Sequence, residues 1–522
     1  MIGNKFHFHL QQVLQQHGEF LSSLISLSLI SYLSLSLSYP FLTIYFLSQS
    51  PLYSQGIAPK SDPTIDCGEF GENPGHVCVK CTGEFVVGLT STGSINVGFV
   101  YFSPGVWGTF SGLPVSKLAI DTMNEMGITM IRQGGTVSQS FKWKEWIPVS
   151  KPWLRPSMTH VWGRSLVGSW GMFEFFDMCN AADIVPVITL AYDTNNAEDW
   201  ADLVEYLYGD NTTTWGSMRI ADNHPAPYVV QTFELGNEQE NPDFVDQVTA
   251  IEKRRASIGA PELHFMYPTN GGVSKSQADA LSAIPGFDVS RVGPDCHVGG
   301  GGGVSCAVND FASNPTFLQS FINCETNAAI STMERAIQEA SDLQVWLNVE
   351  KSLQDRLWGR TASFCAERSG HFDGFDQGLS FFLPNMTFLQ PPGFVHKMIS
   401  QTWQPNAFAI TLTPSTSPIV ASAQVSDDAG TMRVQVVNPT YLSANFTVTL
   451  TGNGFIPSSV CNLWTLAEPS DIQPIDKNAG NTPFQPTLIS PILTYAEWPA
   501  GSLTFTWAVP GYSFQILEMF AS

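Results

Sequence analysis

Basic side chains are scarce in this sequence: 24 lysines and arginines stand against 46 aspartates and glutamates, for a formal charge of −22 over 522 residues. A chain this acidic repels phosphate backbones, which argues against nucleic acid as a partner. It would accept a polyanionic sugar only through a local basic patch. Charge of either sign is sparse, at 13% of residues, while hydrophobic residues reach 43% and aromatics 12%. That balance can bury a large core and excludes a mainly disordered protein. Phosphate-binding signatures are missing. No GxGxxG follows the first predicted strand, and the run from Gly299 to Gly303 is not followed by Lys-Ser/Thr. Cys78-x-x-Cys81 has no second pair or His cluster to complete a zinc site. No cofactor or metal is therefore expected, and neutral polymers and small molecules remain open as ligands.

Long uncharged runs are also lacking, with one exception. No charge occurs between Glu19 and Lys60, and the stretch from Leu21 to Tyr39 is long enough to span a bilayer before Pro40 interrupts it. A signal peptide with an overlong n-region, cleaved near Ser50 to Gly56, fits this leader. The alternatives are a retained signal anchor, or a leader that is in part an upstream translation product. The remainder has no spanning segment, so a secreted, cell-wall location is expected, with no membrane contact apart from the leader. Nine cysteines are present, and Cys67, Cys78 and Cys81 cluster after the leader as a small oxidised knot would. Disulfides are expected, and the odd total leaves at least one free thiol. The sequons at Asn211, Asn385 and Asn445 agree with secretion.

Between residues 96 and 404 short apolar strands alternate with amphipathic helices. The strands are INVGFVYF, ITMIR, IVPVITLAY, VVQTFELG, LHFMYP, VGPDCHV, LQSFINC and DQGLSFFL. Intervening segments such as SKLAIDTMNEMG, EDWADLVEYLYG and ISTMERAIQEASDLQVW have helical periodicity. Eight such units without an internal repeat predict an α/β fold, a (β/α)8 TIM barrel. A doubly wound open sheet is the alternative. Beyond Pro405 the period changes to two in TMRVQVVNP, NFTVTLTG and SLTFTWAV, which predicts a C-terminal antiparallel β-sandwich over 405–522. The expected organisation is a leader over 1–56, a Cys-rich segment and strand over 57–95, the barrel over 96–404, and the sandwich. EFVVGLTS, ahead of the barrel, has the same character as the sandwich strands and could add one to them.

Active sites of such barrels sit at the C-terminal strand ends. Glu238 closes the fourth predicted strand in FELGNEQ, and Glu325 closes the seventh in FINCETN. Two carboxylates across a barrel mouth suit glycoside cleavage, in which one protonates the leaving oxygen and the other attacks the anomeric carbon or activates water. As the acid, Glu238 should be raised in pKa by burial and by the charge of Glu325. Asn237 can hold a sugar hydroxyl, Arg132 can donate to Glu325, and Gly134 and Gly135 let the backbone approach a ligand. Six of the 14 tryptophans, Trp143 among them, fall between Trp107 and Trp170, where they would serve either as a sugar platform or as loop packing. ERSGHFDGFDQG gathers Arg368, His371, Asp373, Asp376 and Gln377, which could line the cleft or simply bond within their loop. Cys324 reads as a buried strand residue rather than a nucleophile.

The succession MIRQGG…FKWKEW, SWGMFEFFDMCNAADIVPVITLAY, DLVEYLYG, HPAPY and FELGNE, followed by INCETN and RAIQEASDL, resembles glycoside hydrolase family 51, the α-L-arabinofuranosidases of the clan A barrels. The resemblance implies a retaining double displacement, with Glu238 as acid/base, Glu325 as nucleophile and Asn237 on the 2-hydroxyl of a polysaccharide or oligosaccharide substrate. It also brings in Thr136, which stands where the family usually carries a sugar-contacting asparagine after its paired glycines. His297 matches the sixth-strand histidine, but Val298 and Gly299 follow it in place of the family's H-x-Y. Related clan A activities on xylan, β-glucan or galactan stay open, as does a silent carbohydrate-binding protein on the same scaffold.

Overall fold

A computed structural model describes residues 109–135, 138, 142–151, 154–155, 158–159, 165–166, 170–191, 196–269, 272–295, 297, 321–323, 332–353, 362–364, 378–383, 386–408, 410–451, 454–469, 475–482 and 484–522, with the backbone of 42–47 and 84–89. Helix α1 (Lys117–Met126) ends where Gly127 takes the left-handed φ of 73°. A side chain there would meet Ser400, so glycine both stops the helix and admits its neighbour. Strand β1 (Met130–Gln133) follows, then α2 (Met172–Ala182), β2 (Val185–Leu190), α3 (Ala197–Tyr208) and α4 (Thr214–Ala221). Next come β3 (Thr232–Leu235), α5 (Phe244–Ile258), β4 (His264–Tyr267), α6 (Lys275–Ser282) and β5 (Val292–Pro294). The five strands pair in parallel in chain order, as right-handed βαβ crossovers require. Helices α3 and α6 start in capping boxes, Asn196 with Asp199 and Ser274 with Gln277.

Further round, β6 (Phe321–Asn323) pairs in parallel with β7 (Ala362–Phe364), separated in sequence by α7 (Met333–Leu353). A hairpin of β8 (Ser380–Leu383) and β9 (Met386–Leu389) leads into α8 (Pro391–Gln401). Outward residues Ile188, Leu190, Phe233, Leu235, Phe265 and Tyr267 pack against the helices in the main core.

The C-terminal part contains β10 (Asn406–Phe408), β11 (Val420–Val425), β12 (Thr431–Asn438), β13 (Ala444–Thr449), β14 (Val460–Leu466), β15 (Ile492–Glu497), β16 (Thr504–Val509) and β17 (Ser513–Phe520). Six of them form a sheet in the order β10-β11-β12-β17-β14-β15, faced by the pair β13-β16. Met432, Val434 and Val436 point into the sandwich core with Trp498, Trp507, Leu517 and Met519. The alternate residues of β12 meet the barrel helices. Arg433 donates to the Ile399 carbonyl and to Thr402 at 2.8 Å each, and Gln344 of α7 donates to Gln435 at 3.3 Å. This sheet is thus covered on both faces, and the sandwich forms one packed body with the barrel. EFVVGL of 84–89 pairs antiparallel with 42–47 and joins neither sandwich sheet, which corrects the expectation that it extends the sandwich. Among the described residues no helix is long and apolar enough to cross a membrane.

Candidate active site

Side chains alternate across a strand, so every second residue of the parallel sheet faces inward. Met130, Val187 and Met266 share a small apolar cluster on that face. Two residues further along β1 and β2 the inward positions become polar, Arg132 and Thr189, with Glu234 on β3 hydrogen-bonded in register to Thr189. Asp295 and His297 continue the same parity beyond β5. The apolar layer plugs the barrel, and the polar layer sits above it at the strand ends.

These side chains form one connected network. Arg132 binds both oxygens of Glu234, at 2.6 and 2.9 Å, and donates to the Asn237 amide oxygen at 2.6 Å. Its guanidinium lies 3.9 Å from Asp295. The Thr189 hydroxyl donates to Glu234 as well. Glu234 and Asp295 are fully buried with carboxylate oxygens within 4.8 Å of each other, so each disfavours the charge of the other. Burial holds Glu234 well above the ordinary carboxylate range, against the pull of Arg132 and with the help of the Asp295 charge. Asp295 is held below its ordinary value: burial opposes this, and the hydrogen bond and charge of His297 overcome it. His297 bonds Asp295 through Nε2 at 2.7 Å and Glu238 through Nδ1 at 3.0 Å. Burial works against its charge, yet Asp295 pushes its pKa up to about 9. Glu234, Asp295 and His297 bring ligand-type atoms within 4.8 Å of one another, as a metal site would. The Arg132 guanidinium already supplies the positive charge there, and the histidine nitrogens already serve two carboxylates. The chemistry this arrangement favours is proton handling.

The turn after β3 is sharply set. Gly236 has φ 126° and Glu238 φ 53°, a left-handed conformation that costs a non-glycine residue about 1–2 kcal/mol. Beneath it Asn241 donates to the Leu235 carbonyl at 2.7 Å and to Gln247 at 2.9 Å, and Tyr267 donates to Glu240 at 2.7 Å. These bonds, the two from Asn241 buried, hold the turn that presents Glu238. Gly134 is required by packing, since a Cβ there would lie 2.0 Å from Thr189 Oγ1 and 2.9 Å from Arg132 Nε. Its missing side chain makes room for the network itself, whereas the sequence alone suggested close approach of a ligand.

The structure brings Asn237, Glu238, Arg132 and His297 together. Asn237 is buried, whereas 47% of the Glu238 side chain is exposed, so the burial expected to tune it is not what its described surroundings provide. The described partners of Arg132 include Glu234, Asn237 and Thr189, with Asp295 at 3.9 Å. Trp143 is a correction. It is fully buried, stacks edge-on with Trp215 at 5.1 Å, and donates to the Asp199 carbonyl at 2.8 Å. The apolar surface of α3 and α4 captures this indole, so Trp143 is loop core and no sugar platform. Trp146 is buried too. Glu325, Thr136, Gln377, Cys324 and the Gly299–Gly303 run lie outside the described residues, as do Cys67, Cys78 and Cys81. Cys179 and Cys461 are free and buried. Sequence reasoning missed Glu234, Asp295 and Thr189. Their signal was a polar residue at an inward position of an otherwise apolar strand, most plainly the glutamate within TFEL.

Residues 122–266 match the family model of the Alpha-L-arabinofuranosidase 1 domain. This match spans β1 to β4, including Arg132, Asn237 and Glu238. The barrel is arabinofuranosidase-like. An extracellular exo-α-L-arabinofuranosidase of Streptomyces chartreusis is 28% identical over 152 residues, covering 26% of this chain and 18% of that protein. A probable α-L-arabinofuranosidase C of Aspergillus niger is 27% identical over 135 residues, 26% of each chain. The matched part therefore spans about a quarter or less of these curated relatives. The structure of a Thermotoga maritima α-L-arabinofuranosidase in complex with arabinose superposes with a TM-score of 0.59 at 14% identity, over 78% of this chain and 90% of that one. An arabinose-bound family 51 α-L-arabinofuranosidase gives 0.58 at 17% identity, over 77% and 66%. The fold of this arabinofuranosidase-like chain is that TIM barrel with its β-sandwich.

Proposed function

We propose that the protein is a retaining glycoside hydrolase of the α-L-arabinofuranosidase type that acts on cell-wall polysaccharide or oligosaccharide. The observation that carries this reading is the turn Gly236–Asn237–Glu238. It stands at the C-terminal end of a parallel barrel strand, with Asn237 fixed by Arg132 and Glu238 held open at the mouth against His297. In this reading Glu238 protonates the leaving oxygen, and Glu325, two residues beyond β6 in the sequence, attacks the anomeric carbon. Water then cleaves the glycosyl-enzyme with Glu238 as base. Arg132 occupies the Asn237 amide oxygen, so the amide's NH2 is the end that donates to the sugar 2-hydroxyl. Retention requires the two carboxyl groups to stand about 5 Å apart. Thr136 and Gln377 belong to the proposed substrate contacts. No cofactor or metal enters the reaction.

The division into leader, Cys-rich segment, barrel over 96–404 and sandwich over 405–522 is part of the proposal, as is secretion. Asn211 and Asn445 are exposed, as glycosylation acceptors must be. The experiment is hydrolysis of a panel of nitrophenyl glycosides and wall polysaccharides by the wild type and by Glu325→Gln. Cleavage of the arabinofuranoside that disappears in the variant supports the reading. Cleavage confined to another glycan keeps the glutamates and replaces the sugar, and cleavage that survives Glu325→Gln refutes the assignment.

A further inference from the structure

The general acid of a glycosidase must arrive with a proton, yet Glu238 is half exposed and hydrogen-bonded to a histidine nitrogen. The tautomer logic of that histidine is restrictive. Both ring nitrogens of His297 face carboxylate oxygens, Asp295 at 2.7 Å and Glu238 at 3.0 Å. A neutral imidazole has one N–H and can serve only one ionised carboxylate as donor. Asp295 is buried, faces the Arg132 guanidinium at 3.9 Å and lies 2.7 Å from Nε2, so it is the carboxylate that claims the Nε2 proton. A single further proton then lies between His297 Nδ1 and Glu238 Oε1. It sits either on the ring, opposite an ionised Glu238, or on Glu238, opposite a neutral ring.

We propose that His297, anchored by Asp295, is the proton-holding partner of Glu238, storing the proton that Glu238 delivers to the leaving oxygen. This rests on the hydrolase reading above and adds the source of the proton. The step balances. As the bond from the anomeric carbon to the leaving oxygen breaks, its electron pair stays on that oxygen, which takes a proton from Glu238. That proton is the one shared with Nδ1, so its delivery leaves Glu238 ionised and the ring neutral, with the Nε2–H still on Asp295. In the second half, water attacks the anomeric carbon, its proton passes to Glu238, and Nδ1 is recharged. Glu234 and Arg132 flank the pair from β3 and β1: the hydrogen bond from His297 and the cation of Arg132 favour the ionised form of Asp295 against its burial, so that the relay has a fixed end. His297 acts through Glu238 and is a positioning residue, since it need not touch the sugar.

The test compares wild type, His297→Asn, Asp295→Asn and Glu238→Gln on aryl arabinofuranosides, from nitrophenyl to phenyl leaving groups, and on alkyl arabinofuranosides, each with a full pH profile. Proton delivery matters little for nitrophenolate and greatly for an alkoxide. The expected result for His297→Asn is a loss of about 10²-fold or more in kcat/KM on alkyl substrates, with only a few-fold loss on nitrophenyl ones. The alkaline limb of the profile should move roughly two pH units toward acid, because the remaining proton carrier is a carboxyl group. Asp295→Asn should move the limb the same way with the imidazole in place, and it carries the test if His297→Asn does not fold. Equal losses on all leaving groups with an unmoved limb would overturn the relay while leaving the hydrolase reading intact, provided Glu238→Gln still shows the leaving-group dependence. A wild type that cleaves no glycoside overturns both.

Discussion

Gly134 offers a test of whether the polar layer is as tightly assembled as its geometry implies. An alanine methyl group there would lie 2.0 Å from Thr189 Oγ1, 2.4 Å from Thr189 Cβ and 2.9 Å from Arg132 Nε. The first two approaches are closer than real side chains tolerate, so Thr189 must move, and it stands in the paired part of β2, opposite Glu234. Overpacking of this kind costs about 1–3 kcal/mol. Displacing Thr189 also loosens its hydrogen bonds with Arg132 and Glu234, which as bonds to charged or strongly polar groups add about 1–3 kcal/mol. Gly134→Ala should therefore lower stability by roughly 2–6 kcal/mol. Arg132 also fixes Asn237, so kcat/KM should fall by about 10²-fold, the scale of an ångström misplacement. Thermal unfolding and arabinofuranoside turnover read the two effects. Thr189→Gly removes the two nearest atoms, so the double variant Gly134→Ala/Thr189→Gly should be destabilised by less than the sum of the single changes. Wild-type stability and activity in Gly134→Ala, or simple additivity in the cycle, would refute this account of the site.

Three further outcomes follow from the same structure. The folded-state pKa of His297, about 9, lies above its ordinary 6.5, so its stabilising contribution is complete below pH 6.5 and is lost as pH rises through 9. The loss is about 3 kcal/mol, measurable as a falling melting temperature between pH 6 and 10 that Asp295→Asn flattens. Trp143→Ala should cost about 3–5 kcal/mol of stability through its cavity, with KM for soluble substrates nearly unchanged. A large KM increase in a variant of intact stability would restore it as a sugar contact. Arg433 is fully buried, and its Nε and Nη2 lack hydrogen-bond partners among the described residues. Arg433→Met should therefore be neutral or stabilising in thermal unfolding, whereas a loss beyond about 3 kcal/mol would mean that the guanidinium stabilises the barrel–sandwich contact.

Most of the fold was legible because its elements carry strong periodicity. The 3.6-residue stripe of 333–353 and the period two of 431–438 reach their expected elements. The turn bearing Asn237 and Glu238 was legible because a strand end is a position that sequence marks. Helix α4 was missed: TWGSMRIA has only two fully buried residues, so its stripe is faint, and a Thr213 cap starts it. The network under Glu238 was hidden for another reason. Arg132, Glu234 and Asp295 come from strands far apart in sequence, and only the parallel register brings them to one layer. Trp143 misled because a Pro- and Lys-rich insertion suggests surface, while its ring closes over α3 and α4 through Tyr206 and Trp215.

The central claim is that Glu238 and Glu325 divide a double displacement between them. The most direct measurement is the intact mass, followed by peptide mapping, of Glu238→Ala incubated with a nitrophenyl arabinofuranoside, whose good leaving group needs no acid. The account predicts that the glycosyl-enzyme forms and persists for want of a general base, adding one pentose unit on the peptide that contains Glu325. Steady turnover with no adduct, or a pentose on any other residue, would contradict it.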